Sequence, residues 1–225
     1  MTDTPTLQLR DVTKTFLGPV PVQAIRGVSF ELSESAFAAL IGPSGSGKTT
    51  LLNICSGLDS PTSGEALIEG TSISKLNEAD LCRFRRWNFG FIFQQYNLFP
   101  TLTAVENVEY TSVIRGTSSE ESRERAEKAL ALVGLSDKVS AFPHQLSGGQ
   151  QQRVAVARAL ASRPKVVFAD EPTANLDSKT AMGLIELFDE LNHSEKVTFL
   201  FSTHDTRLVG RVKTAIEICD GMILK

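Results

Sequence analysis

The sequence predicts an α/β fold in which helices cover a mainly parallel sheet, with an antiparallel edge and a helical insertion. Three observations support this class. Strand-like and helix-like segments alternate through most of the chain. Residues 166–169 are a continuous apolar run, and residues 197–201 are apolar except for Thr198, as in strands buried on both faces. Residues 96–145, in contrast, have a mainly helical pattern, which we assign to the insertion.

The composition suits one compact domain. The chain has 225 residues, of which 41% are hydrophobic and 22% are charged. Its net charge of -3 gives no overall attraction for nucleic acid or anionic lipid, although a local basic patch is compatible with it. No apolar run approaches the ~20 residues needed to cross a bilayer, and the polar residues 1–6 do not resemble a signal peptide. We therefore expect a cytosolic protein.

The three cysteines do not form a pattern. Cys55, Cys82 and Cys219 are an odd number, are widely separated and lack metal-ligand spacing. We interpret them as reduced structural thiols.

The N-terminal segments predict antiparallel strands. Residues 7–13 and 28–32 alternate apolar and polar side chains, and a loop with Gly18 and Pro19 lies between them. Phe16 stands at the mouth of that loop. Its ring could stack on a purine or pack in the core, and its position alone favours the core.

A phosphate-binding pattern follows the next strand. The run 42–50 has Gly, four free positions and Gly-Lys-Thr, between the apolar residues 37–41 and a helix that begins at Lys48. The glycines let backbone N–H groups point inward at phosphate oxygens, and the helix N-terminus adds positive charge. Lys48 would neutralise the β- and γ-phosphates, and the Thr49 hydroxyl would complete the coordination of Mg²⁺. The predicted phosphate-binding residues are Gly42, Pro43, Ser44, Gly45, Ser46, Gly47, Lys48, Thr49 and Thr50.

The middle of the chain predicts a strand, a helix and a second strand. Residues 66–68 form a short strand, and Asn77 caps a helix that extends to about Trp87. The aromatic strand 89–93 ends at Gln94 and Gln95. A polar pair directly after a buried strand is placed to reach a ligand at the carboxyl end of the sheet.

The insertion predicts two capped helices. Capping boxes at Thr103 and Ser118 open them, and the second ends near Gly134. The charged run 120–128 indicates a solvated helix face.

A second anion site is predicted beyond the insertion. The residues 146–153, with the sequence LSGGQQQR, precede the strongly helical segment 154–162. A serine and two glycines at a helix start can bind an anion through backbone N–H groups.

Further polar residues end two later strands. Asp170 and Glu171 follow the strand 166–169, where a Mg²⁺ ligand and a base are needed. After the helix 178–193 and the strand 197–201 come Thr203, His204 and Asp205. The last strands, 215–218 and 222–224, flank a turn at residues 220–221.

Together these residues resemble one family, the ATP-binding subunits of ABC transporters. The phosphate loop is common to many nucleotidases, whereas LSGGQ at 146–150 is specific to this family, and the 166–171 strand, the 174–177 loop and His204 follow in the required order. The runs 42–59, 89–108 and 150–153 look like the LolD-like, MacB-like and FtsE-like subfamily. The resemblance implies one domain over residues 1–225: a P-loop (RecA-like) core with a mainly parallel sheet, an antiparallel β subdomain and a helical subdomain inserted at about residues 96–160.

The resemblance also implies site roles. Glu171 is the expected general base, and Asp170 is expected to hold Mg²⁺ through its water shell. Gln94 is expected to sense Mg²⁺ and the γ-phosphate, and His204 to contact the γ-phosphate. Phe16 becomes the expected adenine platform.

A head-to-tail homodimer around two ATP molecules is implied as well. Ser147, Gly149 and Gln150 would bind the γ-phosphate of the ATP held by the other chain, and Asp177 would cross the interface. Closure of this second helix start on the phosphates would exclude water and gate hydrolysis.

The implied partner is a separately encoded membrane permease, which would place the protein on the inner face of the cell membrane. We expect contact through a groove near four residues, with a locally buried lobe as the alternative. These residues are Gln94, Tyr96, Leu98 and Phe99.

Two other functions are compatible with the family. One is a soluble ABC ATPase that acts on DNA or ribosomes, which the single set of motifs and the acidic charge disfavour, so we expect no nucleic-acid partner. The other is the ATPase of an amino-acid importer. The chain departs from the family at Phe16, where Tyr is frequent, at Ser35-Ala36 instead of Gly-Glu, and at Gln145 instead of Glu.

Overall fold

The computed structural model describes residues 4–224 and contains two sheets. The first sheet is antiparallel, in the order β2-β1-β4-β5. Its strands are β1 (Leu7–Phe16), β2 (Val22–Leu32), β4 (Ser63–Ile68) and β5 (Thr71–Ser72). The predicted antiparallel strands are therefore confirmed, and both are longer than the alternating pattern indicated.

The second sheet has the order β10-β9-β3-β8-β7-β6. Strands β9, β3, β8, β7 and β6 are parallel, and only β10 is antiparallel to its neighbour. The bounds are β3 (Phe37–Ile41), β6 (Phe89–Ile92), β7 (Val166–Asp170), β8 (Thr198–Ser202), β9 (Thr214–Cys219) and β10 (Met222–Ile223). The mainly parallel sheet is thus confirmed, and its five parallel strands all end at the same edge.

Seven α-helices lie in residues 4–224 and pack around the sheets. They are α1 (Lys48–Cys55), α2 (Glu78–Asn88), α3 (Ala104–Val113), α4 (Ser119–Leu132), α5 (Gly148–Ala161), α6 (Ser178–Glu195) and α7 (Thr206–Val209). Helices α3, α4 and α5 pack on one another, and α5 also contacts β6. No helix among these residues combines the length and apolarity needed to cross a membrane.

The parallel sheet is buried on both faces. In β3, Phe37 and Ala39 belong to a cluster shared with helices α3, α4, α5 and α6. Ala38 and Leu40 belong to a second cluster, which lies against the antiparallel sheet. The period of two along a strand explains this division. A strand with two buried faces is continuously apolar, which is why the sequence identified β3, β7 and β8.

Most predicted helix starts are confirmed. Asn77 caps α2, and Thr103 and Glu106 form the expected reciprocal capping box of α3. At α4 the predicted box is incomplete: Ser118 accepts from the backbone N–H of Glu121, but the Glu121 carboxylate pairs with Arg125 instead of returning to the cap. The exposed face of α4 carries further Glu–Arg and Glu–Lys pairs four residues apart, as the charged run indicated.

Candidate active site

Strand order brings four loops to one edge of the parallel sheet. Strand β8 lies between β3 and β7, and β6 pairs with the other side of β7. Because all four strands run in the same direction, the residues that follow them meet at their carboxyl ends. This edge therefore carries the predicted phosphate loop, Gln94, the 170–171 carboxylates and His204.

Two glycines of the loop are required by close packing. A Cβ on Gly42, at φ 147°, would lie 2.1 Å from the carbonyl oxygen of Ile218. A Cβ on Gly47, at φ 106°, would lie 2.8 Å from the carbonyl oxygen of Ala24. Gly45 also has a positive φ, but a Cβ there would meet nothing within 4 Å. The loop is therefore fixed from behind and open above Gly45, as a cradle for an anion requires.

Lys48 places its charge inside this cradle. It is the first residue of α1, is only 7% exposed and donates from Nζ to the carbonyl oxygens of Gly42 and Pro43, at 2.8 and 2.9 Å. These acceptors are neutral, and a phosphate oxygen would form a stronger, charge-assisted bond. The nearby hydroxyl of Ser46 is buried without a hydrogen-bond partner. The loop thus presents both a cation and a helix N-terminus to an anion.

Thr49 and Asp170 form the part of the site that suits a divalent cation. The Thr49 hydroxyl donates to Asp170 Oδ1 at 3.2 Å, which joins the phosphate loop to the end of β7. Residues 4–224 contain no cluster of three or more His, Cys, Asp or Glu side chains that could hold a metal by themselves. One hydroxyl and one carboxylate fit Mg²⁺, which keeps waters and takes phosphate oxygens as its other ligands.

Glu171 and His204 form a second pair at the same edge. His204 Nδ1 lies 2.7 Å from Glu171 Oε1, and the Thr203 hydroxyl donates to Oε2 at 3.4 Å. The Glu171 side chain is 17% exposed, whereas that of His204 is 67% exposed. Glu171 has a φ of 45°, a conformation that side-chain-bearing residues seldom adopt and that is often found at functional sites. A carboxylate that is oriented by Thr203 and His204 therefore lies beside the phosphate loop.

The predicted second anion site lies at the start of α5. Ser147 and Gln150 form a reciprocal capping box, with bonds of 3.3 and 2.9 Å. Gly149 lets α5 approach α6, since a Cβ there would lie 2.2 Å from Thr180 Cγ2. Among the described residues, these capping bonds stay within 147–150 and none reaches the loop 42–50. Within the part of the chain that the structure describes, no hydrogen bond therefore joins the two predicted anion sites.

Three predicted site residues lie outside these pairs. Asp177 caps α6, accepting at Oδ1 from the backbone of Lys179 and Thr180, and the hydroxyl of Thr180 lowers the pKa of Asp177. Gln94 is exposed, and its carbonyl oxygen accepts from Asn175 Nδ2 at 2.9 Å. Phe16 is 45% exposed, so its position-based assignment to the core is wrong.

One buried residue was missed by the sequence analysis. Gln152 is fully buried in α5 and donates from Nε2 to Pro172 O at 2.8 Å and to Phe93 O at 3.4 Å. It therefore ties the helix behind the LSGGQ run to the loops that follow β6 and β7. A glutamine one turn or less before the apolar part of α5 was the available signal, but the adjoining glutamines at 150 and 151 carry the same signal and are not buried.

An apolar cavity of about 410 Å³ lies beside the segment that follows β6, with Phe93 and Asn97 in its lining but not Gln94. Phe99 and Tyr110 line it beside the aromatic residues of β6, and Arg85, Arg86 and Arg158 stand at its wall. Of the four residues predicted for a groove, Phe99 alone lines this cavity. Leu98 packs against the core, and Tyr96 packs over Gly148, where a Cβ would lie 2.8 Å from its hydroxyl oxygen.

The comparison with protein families gives a match over residues 25–174 to the family described as ABC transporter. An uncharacterized ABC transporter ATP-binding protein of Thermotoga maritima is 49% identical over 96% of this chain and 93% of its own length. The lipoprotein-releasing system ATP-binding protein LolD of Bacteroides thetaiotaomicron is 42% identical over 97% of this chain and 99% of its own.

Longer relatives and solved structures also match. The macrolide export ATP-binding/permease protein MacB of Hyphomonas neptunium is 46% identical over 98% of this chain, which spans 34% of that protein. Among solved structures, the dimeric ATP-binding cassette MJ0796, in a post-hydrolysis state bound to ADP and Pi, is 41% identical. It has a TM-score of 0.88 and 97% coverage of both chains.

Proposed function

The chain belongs to the ABC transporter family, and from this premise we propose that it is an ATPase subunit that dimerises around two ATP molecules and drives a membrane permease. One observation carries the proposal. The carboxyl edge of the sheet joins a phosphate cradle to two oriented carboxylates, with Thr49–Asp170 at 3.2 Å and Glu171–His204 at 2.7 Å. A phosphate site that also holds a positioned base and a cation site supports phosphoryl transfer to water.

We assign the chemistry to residues of this edge. Lys48 and the backbone of the loop bind the β- and γ-phosphates. Thr49 and Asp170 would hold Mg²⁺, which neutralises phosphate charge when bound. Glu171 orients the attacking water and accepts its proton, while His204 fixes the carboxylate and reaches the γ-phosphate. Gln94 lies on the remaining strand end and completes the set.

We propose that hydrolysis needs a second copy of this chain. Among residues 4–224 of one chain, no hydrogen bond joins the LSGGQ helix start to the phosphate loop, and the related cassette MJ0796 is dimeric. In a head-to-tail dimer, Ser147, Gly149 and Gln150 would cap the ATP of the other chain, with Asp177 at the interface. A helix N-terminus that closes over the γ-phosphate adds positive potential and excludes water.

The apolar cavity beside Phe93 and Phe99 is our proposed permease site. Its aromatic lining suits the apolar face of a short helix, and no carboxylate of the described residues lines it. Arginines at the wall favour acidic or carbonyl groups on that helix. The match to LolD across its whole length supports a separate permease of the lipoprotein-release, macrolide or peptide export, or cell-division type. The protein would then lie on the inner face of the cell membrane.

Substitution of Glu171 tests the ATPase assignment. Glu171→Gln keeps the size of the side chain but removes the base, so we expect ATP turnover to fall by about 10²- to 10⁴-fold while ATP binding is retained. The closed dimer should accumulate with ATP, as seen by size-exclusion chromatography. Glu186→Gln, on the exposed face of α6, is the matched control and should turn over normally. Near-normal turnover of the Glu171 variant would remove this residue from its role.

A further inference from the structure

We infer that Lys14 and Asp59 form a strut that positions Phe16 as the adenine platform at a fixed place relative to the phosphate loop. The inference rests on the proposed ATP site, and it adds two positioning residues to it. Phe16 by itself is a poorly anchored platform, because it ends β1 and its ring is 45% exposed.

Lys14 is held firmly beneath this ring. It lies on β1 two residues before Phe16, and its ammonium lies over the ring of Phe16. Its side chain is only 13% exposed. The ammonium donates to Asp59 Oδ1 at 2.5 Å and to the carbonyl oxygen of Ser60 at 2.7 Å. An ammonium that is mostly buried, paired with a carboxylate and held by two hydrogen bonds has little rotational freedom.

The same ammonium contacts the aromatic ring. Lys14 Nζ lies 5.0 Å from the centroid of Phe16, within the range of a cation–π interaction. With the cation on one face, the exposed part of the ring is left for a flat ligand. Lys14 therefore fixes which side of Phe16 a base can stack on.

Asp59 connects this arrangement to the phosphate loop. The backbone N–H groups of Leu58 and Asp59 both donate to the carbonyl oxygen of Asn53, at 2.8 and 3.2 Å. Asn53 belongs to α1, the helix that begins with Lys48 and Thr49. The chain of contacts thus runs from the phosphate-binding residues through α1 and Asp59 to Lys14 and the ring. The strut sets the distance between the base and the phosphates.

If the Lys14–Asp59 pair only stabilised the fold, its loss would have a different effect from the loss of a strut that positions Phe16. Loss of a purely structural pair would weaken binding at both the adenine and the phosphate parts of the nucleotide site, or at neither. Loss of the strut would weaken only ligands that carry a base. Inorganic tripolyphosphate, which has the phosphates but no adenine, separates the two cases.

The experiment compares the affinities of ATP and tripolyphosphate by isothermal titration calorimetry in the full chain. For Lys14→Met we expect ATP binding to weaken about 3- to 10-fold, as for loss of one cation–π contact, with tripolyphosphate binding unchanged. Lys14→Arg keeps a cation that can pair with Asp59 and should bind ATP within about twofold of the native chain. Lys75→Met removes an exposed ion pair with Glu65 in the same sheet and should change neither affinity.

A double variant tests whether Lys14 acts through Phe16. Phe16→Ala should weaken ATP but not tripolyphosphate, and adding Lys14→Met to it should have no further effect. Equal weakening of both ligands by Lys14→Met, or no weakening of either, would overturn the strut. Unchanged ATP binding in Phe16→Ala would instead remove the platform itself. A thermal melt of each variant identifies any that fails to fold. If Lys14→Met fails to fold, Asp59→Asn, which removes the charged partner of Lys14, replaces it and should weaken ATP but not tripolyphosphate.

Discussion

At the residue scale, neighbouring carboxylates meet different partners because the backbone turns between them. Asp170 is the last residue of β7 and accepts from Thr49 on the loop after β3. Glu171 follows it at a φ of 45° and meets His204 on the loop after β8. A regular strand would have directed the two side chains to opposite faces of the sheet. The left-handed residue instead keeps both at its edge.

Two departures from the family pattern also find an explanation at this scale. Ser35 stands at a φ of 57°, where glycine is unstrained, and its hydroxyl compensates by donating to the carbonyl oxygen of Lys196 at 3.0 Å. Gln145 accepts at Oε1 from the backbone N–H of Phe142, at 2.8 Å, a bond that a glutamate could also accept. Each replacement therefore keeps its local turn.

Asp205 gives a pH-dependent prediction. A bidentate pair with Arg207, at 2.7 and 2.9 Å, and a bond from Thr173 lower the pKa of Asp205 to about 2. A depressed pKa stabilises the fold above the unfolded value and loses this effect as pH falls through the folded value, here from about 4 to about 2. Asp205→Asn should therefore lower the free energy of unfolding by about 1–2 kcal/mol at pH 7, and by less as the pH falls below 4.

Urea unfolding at several pH values measures this effect. Asp137→Asn is the control, because the Asp137 pair with Lys138 is exposed and surface pairs contribute little. An Asp205→Asn variant that is equally destabilised at pH 7 and at pH 3 would contradict the assignment of this stability to the ionised Asp205 carboxylate.

At the element scale, helix ends were predictable where the cap is local. Asn77, Thr103 and Ser147 each bond a backbone N–H within three residues, so their sequence context contains the whole interaction. The end of α6 shows the opposite case. Its last turn continues to residue 195, beyond the predicted end, and the helix is closed by Lys196 in the left-handed conformation at φ 53°. A lysine in the sequence does not indicate a left-handed helix cap.

Lys196 therefore offers a stabilising substitution. Lys196→Gly removes the Cβ strain of the left-handed conformation, and the greater chain entropy that glycine gives the unfolded state offsets only part of the gain. We expect the free energy of unfolding to rise by about 0.5–1 kcal/mol, measured by urea denaturation. The bond from the Ser35 hydroxyl uses the backbone carbonyl and is retained.

Lys179→Gly at the start of the same helix is the matched control. Lys179 has a helical conformation, so glycine there should lower stability by up to about 1 kcal/mol. If both glycine variants were destabilised equally, the left-handed cap would contribute no strain.

At the scale of the whole molecule, one loop links the proposed permease site to the active site. The residues that follow β6 are held by Asn175 at Gln94, by Gln152 at Phe93 and by Arg158 at the carbonyl oxygens of Tyr96 and Asn97. Arg158 also borders the apolar cavity, and Gln152 also bonds the loop that carries Glu171. Movement of a helix in the cavity would thus reach both Gln94 and the 170–172 segment.

Charge reversal at the cavity tests the permease site. Arg86→Glu places a carboxylate where we expect the acidic or carbonyl groups of the partner helix, so it should abolish co-purification of a multi-spanning membrane protein with the tagged chain. ATP binding should be unchanged. The control is Arg163→Glu, also exposed but beside a different surface groove. Equal recovery of the same permease with both variants would exclude this cavity as the contact.

The sequence by itself determined the local features of this protein. The glycine spacing of the phosphate loop, the caps of α2, α3 and α5, and the apolar strands of the parallel sheet follow from interactions within a few residues. The LSGGQ run and the polar residues after each strand were enough to identify the family and the expected site. Short elements such as β5 and α7 were missed, because two to four residues carry no periodic pattern.

Only the tertiary structure decided which of these features meet. The Thr49–Asp170 contact joins residues 121 positions apart, and it exists because β8 lies between β3 and β7 and all three strands run in parallel. The strand order likewise pairs Glu171 with His204. The exposure of Phe16, the support that Lys14 gives it and the burial of Gln152 also depend on distant residues. Such contacts reflect the packing of the whole chain, and no local pattern contains them.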